Sequence, residues 1–270
     1  MSIIPALLAS AAGLAWLDAK TQLTYDLNLL YPYWACSRSV RSLEKSDRVN
    51  FFYILEEHGT TKATLGLPCL VYEGNTWSYK EVYDTVLQYG TWLKKEYAIA
   101  SKEVVAMDFT NKPQFVFLWL AIWSLGAYPA FINYNLTGKP LVHSVKSSNS
   151  RILFVDEEVK LQVTQVLNDL ESPKEGKTVD LVFFDAATEQ DILNTDGLRE
   201  PDSSRAGVKG REMAILIYTS GTTGLPKPVI VSWDKAYIGG GIAGRFMAMK
   251  PTDRFYTVSF GGKFRHPTSI

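Results

Sequence analysis

Residues 213–227 read MAILIYTSGTTGLPK: an apolar run followed at once by a loop of glycines, hydroxyls and one lysine. A short continuous apolar run bounded by turn residues is the pattern of a strand buried on both faces. The loop after it carries the chemistry. Gly221 and Gly224 let the backbone turn tightly and approach a ligand closely. Successive backbone N–H groups in such a turn form a concavity that binds anions. Thr219, Ser220, Thr222 and Thr223 add hydroxyl donors, and Lys227 adds a cation. That donor set suits a polyphosphate. It is not the G-x-x-x-x-G-K-[ST] phosphate loop, because Gly221 and Gly224 are three apart and Pro228 follows Lys227.

Upstream, strand and helix signals alternate. Leu70–Tyr72 and Thr76–Ser78 read as a hairpin around Glu73-Gly74-Asn75. Ser78-Tyr79-Lys80-Glu81 is a capping box, and the helix that it opens carries Val82, Tyr83, Val86, Leu87, Gly90 and Leu93 on one face. Residues 103–109 read as a strand. Residues 115–132 (FVFLWLAIWSLGAYPAFI) are 18 uncharged residues that a hydropathy scan flags as a membrane span. Pro113, Gly126 and Pro129 punctuate them, and predict a buried helix over 113–125 and a buried strand over 128–132. A helix over 139–147, a strand over 151–155, one helix over 157–170 and a strand over 179–184 follow. Alternation of this kind predicts an α/β fold with a parallel sheet covered on both faces. Residues 185–212 are polar and read as a solvated loop; residues 156–212 hold 14 acidic against 7 basic residues.

Composition narrows the classes. The 270 residues are 46% apolar and 21% charged, which supports a sizeable core and excludes intrinsic disorder. Lys+Arg and Asp+Glu are 28 each, so nothing electrostatic points to nucleic acid. Cys36 and Cys69 make no disulfide framework, and His58, His143 and His266 are scattered, so no metal site is expected. Residues 2–17 (SIIPALLASAAGLAWL) carry no charge before Asp18. They are short for a span and lack the basic start of a secretory signal. They predict a membrane-associated helix within an N-terminal segment, residues 1–50. Arg38, Arg41, Lys45 and Arg48 follow, a basic cluster that fits anionic headgroups or simply a solvated face.

Residues 216–227, LIYTSGTTGLPK, resemble the signature phosphate loop of the adenylate-forming (AMP-binding) superfamily, which includes acyl-CoA synthetases, luciferases and peptide synthetase adenylation domains. Residues 104–147 resemble the fatty acid transport protein group, also called very long-chain acyl-CoA synthetases. Residues 13–30 (GLAWLDAKTQLTYDLNLL) are similar to the start of its fungal members. The resemblance covers roughly residues 13–258 and implies a long- or very long-chain fatty acid–CoA ligase coupled to fatty acid uptake. Its substrates would be a fatty acid, ATP with Mg²⁺, and coenzyme A. The fatty acid carboxylate attacks the α-phosphate, pyrophosphate leaves, and the coenzyme A thiol then displaces AMP. By position, Thr219, Ser220, Gly221, Thr222, Thr223, Gly224 and Lys227 would hold the β- and γ-phosphates. No catalytic residue and no protein metal ligand carries over.

The sequence also departs from the family. Its later motifs are missing: a Pro-Leu-aromatic-His segment, a Tyr-x-x-Thr-Glu segment, a ribose-binding Asp and a carboxy-terminal domain with an adenylation lysine. Residues 255–258 (FYTV) read as a strand, and residues 259–270 as an aberrant tail. The expected organisation is residues 51–258 as an incomplete amino-terminal part of the large adenylating domain, inactive alone, on a cytosol-facing membrane of the endoplasmic reticulum, peroxisome, lipid droplet or plasma membrane. The alternatives are another adenylating ligase, of the coumarate–CoA type, or a non-catalytic membrane or interaction paralogue.

Overall fold

The computed structural model describes residues 4–172, 178–220, 224–250 and 252–256, with only the backbone of residues 4–11 and Leu29. Two helices lead, α1 (Ile4–Thr21) and α2 (Leu23–Ser46), joined at Gln22 in the left-handed region. Among the described residues, no helix is long and apolar enough to cross a membrane. The short helix α3 (Phe52–Thr60) is tied to the body by Asn50, whose side chain donates to the Trp123 carbonyl at 3.0 Å and accepts from the Phe52 amide.

The expected hairpin forms from β1 (Pro68–Tyr72) and β2 (Asn75–Ser78). Glu73 and Gly74 both have positive φ, which suits a two-residue turn between right-twisting strands. The capping box is present in full: the Glu81 amide donates to Ser78 Oγ, and Glu81 Oε2 accepts from the Ser78 amide at 2.7 Å. It opens α4 (Tyr79–Tyr97), where Val82, Val86 and Leu93 are fully buried.

From there β3 (Val104–Asp108), α5 (Pro113–Ser124), β4 (Tyr128–Ile132), α6 (Gly138–Ser147) and β5 (Ile152–Asp156) alternate as expected. The run 115–132 thus divides into a twelve-residue helix and a strand, both largely buried. Gly126 makes the reversal: its φ is +75°, and a Cβ there would lie 2.0 Å from the Ser204 carbonyl oxygen.

Residues 157–170 are not one helix. They form a 3₁₀ turn at 157–159, then α7 (Lys160–Thr164) and α8 (Leu167–Glu171). Val159, Val163 and Val166 are weak helix formers. Burying them with Leu170 against the sheet outweighs an unbroken ladder. The strand β6 (Asp180–Phe184) follows.

Residues 185–212 are not a solvated loop. Asp185 caps α9 (Ala186–Leu193), accepting from the Thr188 amide at 2.8 Å, and Ile192 is fully buried. Beyond it, Arg205 is buried across the Phe52 ring and donates to the Ser124 and Glu200 carbonyls. Arg199 pairs with Glu56 and Asp202. Arg199, Glu200 and Glu189 bond to Glu56 of α3, Lys94 of α4 and Gln114 of α5, while most other polar side chains of the segment stay exposed.

The chain then runs through β7 (Met213–Thr219) and β8 (Lys227–Ser232) into α10 (Trp233–Phe246). The main sheet has the order β6-β5-β3-β4-β7-β8. All pairs are parallel except β7–β8, an antiparallel edge that the strand–helix alternation did not predict. Alternate residues of β3 enter different cores: Val105 and Met107 pack with α4 and α5, Ala106 with α6 to α8. Of the expected strand 255–258, Phe255 and Tyr256 are exposed and not in a strand. Its remainder, and residues 259–270, lie outside the described residues.

Candidate functional site

The glycine-rich loop connects β7 to β8 at the carboxyl end of β7. In open α/β sheets ligands bind outside that end of the strands. Leu216 is buried beside Ala130 of β4, and exposure grows toward Thr219 and Ser220, which face solvent. Tyr218 fixes the strand end: its hydroxyl donates to the Ser144 carbonyl of α6 at 2.6 Å. Thr219 and Lys227 are register partners at the mouth of the hairpin, so the first hydroxyl and the lysine face each other across the loop base. Pro228 sits in the edge strand β8, the sheet position at which proline is tolerated.

Of the seven residues that the sequence singles out, Thr219, Ser220, Gly224 and Lys227 come together at this end. Gly221, Thr222 and Thr223 lie outside the described residues. Gly224 has φ +81° with open space where a Cβ would go, so conformation rather than room calls for glycine. Thr219, Ser220, Gly224 and Lys227 are all exposed, and Lys227 has no carboxylate partner among the described residues. The arrangement offers amides, hydroxyls and an ammonium to an anion. Among its described residues no nucleophile is paired with a base.

A second cluster on the same edge escaped the sequence reading. Asp108 ends β3 and Asp156 ends β5, its neighbour in the sheet. Asp156 accepts from Thr110 Oγ1 at 2.6 Å and from Lys112 Nζ at 2.7 Å, and Lys112 also reaches Glu158 at 3.0 Å. Burial opposes ionisation of Asp156, but Lys112, Thr110 and two backbone amides outweigh it and hold the carboxyl below the usual range. Asp108 is only 1% exposed, and its Oδ1 has no partner among the described residues. Burial first, then the Asp156 charge, pushes its carboxyl up to about 7. The signal was an acid closing each of two apolar runs, AMD and FVD. Lys112 is neutralised by its two carboxylates, so Lys227 is the better cation for a phosphate. Among the described residues no group of three carboxylate, histidine or cysteine side chains could hold a metal.

Comparison with known proteins gives the family and the fold. The AMP-binding enzyme family matches residues 57–259. The chain is 30% identical over 94% of its length to a very long-chain fatty acid transport protein of Cochliobolus heterostrophus, covering 39% of that protein. It is 36% identical over 67% of its length to the Saccharomyces cerevisiae very long-chain fatty acid transport protein, covering 28% of it. The chain thus spans about a third of the length of these relatives. Among solved structures, a Mycobacterium tuberculosis fatty acyl CoA synthetase superposes with a TM-score of 0.58 at 18% identity, over 68% of this chain and 35% of that one. The anthranilate CoA ligase AuaEII, in complex with anthranoyl-AMP, superposes with the same score at 21% identity, over 68% of this chain and 34% of that one. The α/β fold is that of the N-terminal domain of adenylate-forming enzymes.

Proposed function

This chain belongs to the AMP-binding enzyme family, and from that premise we propose that its β7–β8 loop is the pyrophosphate side of the ATP site of a long- or very long-chain fatty acid–CoA ligase. The observation that carries the reading is the loop itself, which presents Thr219, Ser220 and an unpaired Lys227 to solvent around one strand end. In this reading the loop amides, with the hydroxyls of Thr219, Ser220, Thr222 and Thr223, bind the β- and γ-phosphates. Gly221 and Gly224 let the backbone follow them. The Lys227 ammonium neutralises charge that grows on pyrophosphate as the fatty acid carboxylate attacks the α-phosphate. Coenzyme A then takes the acyl group from the adenylate and AMP leaves. Mg²⁺ would enter with ATP. Identity to two fatty acid transport proteins favours a fatty acid over an aromatic acid. The superposition on an anthranilate ligase is equally good, so the fold does not discriminate.

Binding of Mg·ATP and Mg·pyrophosphate by calorimetry tests the loop. Lys227→Ala should weaken both by roughly tenfold or more, the worth of a charge-assisted hydrogen bond, and leave the fold unchanged. Equal affinity in the variant would remove Lys227 from the site.

The same reading takes residues 1–50 as a membrane-associated segment, cytosol-facing, ahead of the adenylating part from residue 51. Its support is the exposure of Leu14, Trp16 and Leu17 on α1. The full chain should stay with membranes through a carbonate wash, and deletion of residues 1–18 should release it. A full chain found only in the soluble fraction would end this reading.

A further inference from the structure

The face of α2 turned away from the body is cationic. Its inner face is held: Val40 is buried, packed against Gly210, and Glu44 accepts from the Gly210 amide. On the outer face Trp34, Arg38, Arg41, Ser42 and Lys45 line a shallow groove of about 400 Å³. No carboxylate lines it. Arg38, Arg41 and Lys45 have no ion-pair partner among the described residues, whereas Arg48, one turn on, is bonded to Asp202 at 2.8 Å. Positions 38, 41 and 45 follow helical spacing, so three unpaired cations share one stripe.

The charge is segregated along the helix, not only around it. Toward its start α2 exposes Leu23, Tyr25, Leu27, Leu30, Tyr31 and Tyr33, with Asp26 in the first turn, where the helix dipole favours an acid. Arg38 lies over the Trp34 ring, where the two halves meet, 5.5 Å from its centroid. Arg245 of α10 lies 5.5 Å from the Tyr31 centroid, and Lys20 of α1 lies 5.0 Å from that of Trp16. Aromatic rings beneath cationic heads, with aliphatic side chains on one side and unpaired cations on the other, match the polarity gradient of a bilayer surface.

We propose that α2 docks on an anionic phospholipid surface, with its aromatic half at the acyl boundary and its 34–45 groove taking lipid phosphates. This rests on the membrane reading above and names the lipid class. A soluble phosphate would have no use for the apolar half that continues the groove.

Co-sedimentation of the full chain tests it, with phosphatidylcholine vesicles and with phosphatidylcholine vesicles containing phosphatidylserine and phosphatidic acid. The wild type should prefer the anionic vesicles. Arg38→Gln/Arg41→Gln/Lys45→Gln should reduce that preference by roughly fivefold per cation, on the order of 100-fold in all. The control Lys62→Gln/Lys95→Gln/Lys139→Gln removes the same charge elsewhere on the surface and should retain most of it. Equal losses in both triple variants would overturn the proposal, as would displacement by inorganic phosphate at concentrations comparable to the lipid phosphate. A wild type that binds both vesicle types equally, with no effect of the groove variant, leaves the membrane reading standing and this one refuted. A wild type that sediments with neither removes both.

Discussion

Residues 115–132 and residues 12–34 are both rich in large apolar side chains, and the molecule treats them in opposite ways. In the first, Phe115, Phe117, Leu118, Ile122, Trp123 and Ile132 are nearly inaccessible, because the helix and strand that they form lie inside a sheet-and-helix sandwich. In the second, Leu14, Trp16, Leu27, Leu30, Tyr31 and Trp34 are at least half exposed. The difference is punctuation and neighbours, not hydrophobicity. Gly126 and Pro129 turn the first run back through the core, so both halves find partners. The second run has Gln22 and Pro32 as breaks yet continues as helix, and most of its large apolar side chains stay exposed. Exposed apolar area of that extent is what the proposed membrane contact rests on.

The sharpest way to break the buried half is Gly126→Ala. The added methyl would meet the Ser204 backbone in a conformation that L residues rarely adopt. The expected cost is about 4 kcal/mol or more, which in a domain of this size lowers Tm by roughly 8 °C or more. Thermal unfolding measures it, and a shift within a degree or two would show that the reversal is not held where described.

Asp108 tests the same half through charge. Its carboxyl titrates near 7 in the fold against about 3.8 ordinarily. Between those values the native state keeps a proton that the unfolded chain has released. Stability contributed by the neutral acid is therefore full below about 4 and lost as pH rises through 7. Asp108→Asn stays neutral, so it should be more stable than the wild type at pH 8, by on the order of a few kcal/mol. The gap should close near pH 4. Asp156 has the opposite sign, losing its contribution as pH falls through its lowered value. Parallel Tm profiles of the wild type and Asp108→Asn would contradict the buried, unpartnered carboxyl.

The smallest effect belongs to the exposed half. Leu27→Ser/Leu30→Ser should change unfolding free energy by less than about 0.5 kcal/mol per residue and still weaken vesicle binding. A large loss of stability would mean that Leu27 and Leu30 themselves pack on something within the chain.

Much of the buried half was legible in the sequence. The capping box at Ser78, the stop at Gly126 and the hairpin around Glu73-Gly74-Asn75 are local geometry and are found there, the turn itself narrowed to Glu73 and Gly74 with Asn75 opening β2. The site was legible in part. The donors of residues 219–227 could be read from composition and spacing, whereas the Asp108–Asp156 cluster could not, because its members lie 48 positions apart and meet only when β3 pairs with β5.

By itself the sequence determined the α/β alternation, the helix and strand within 115–132, and the strand that ends at Thr219. These follow from periodicity, caps and special backbone angles, which act over a few residues. Only the tertiary structure decided that β8 closes the edge antiparallel, that 157–170 breaks to bury three valines, that Arg205 is buried over Phe52, and that burial pushes the Asp108 carboxyl up to about 7. Strand pairing, desolvation and ion pairing depend on which distant groups become neighbours. No local pattern encodes that.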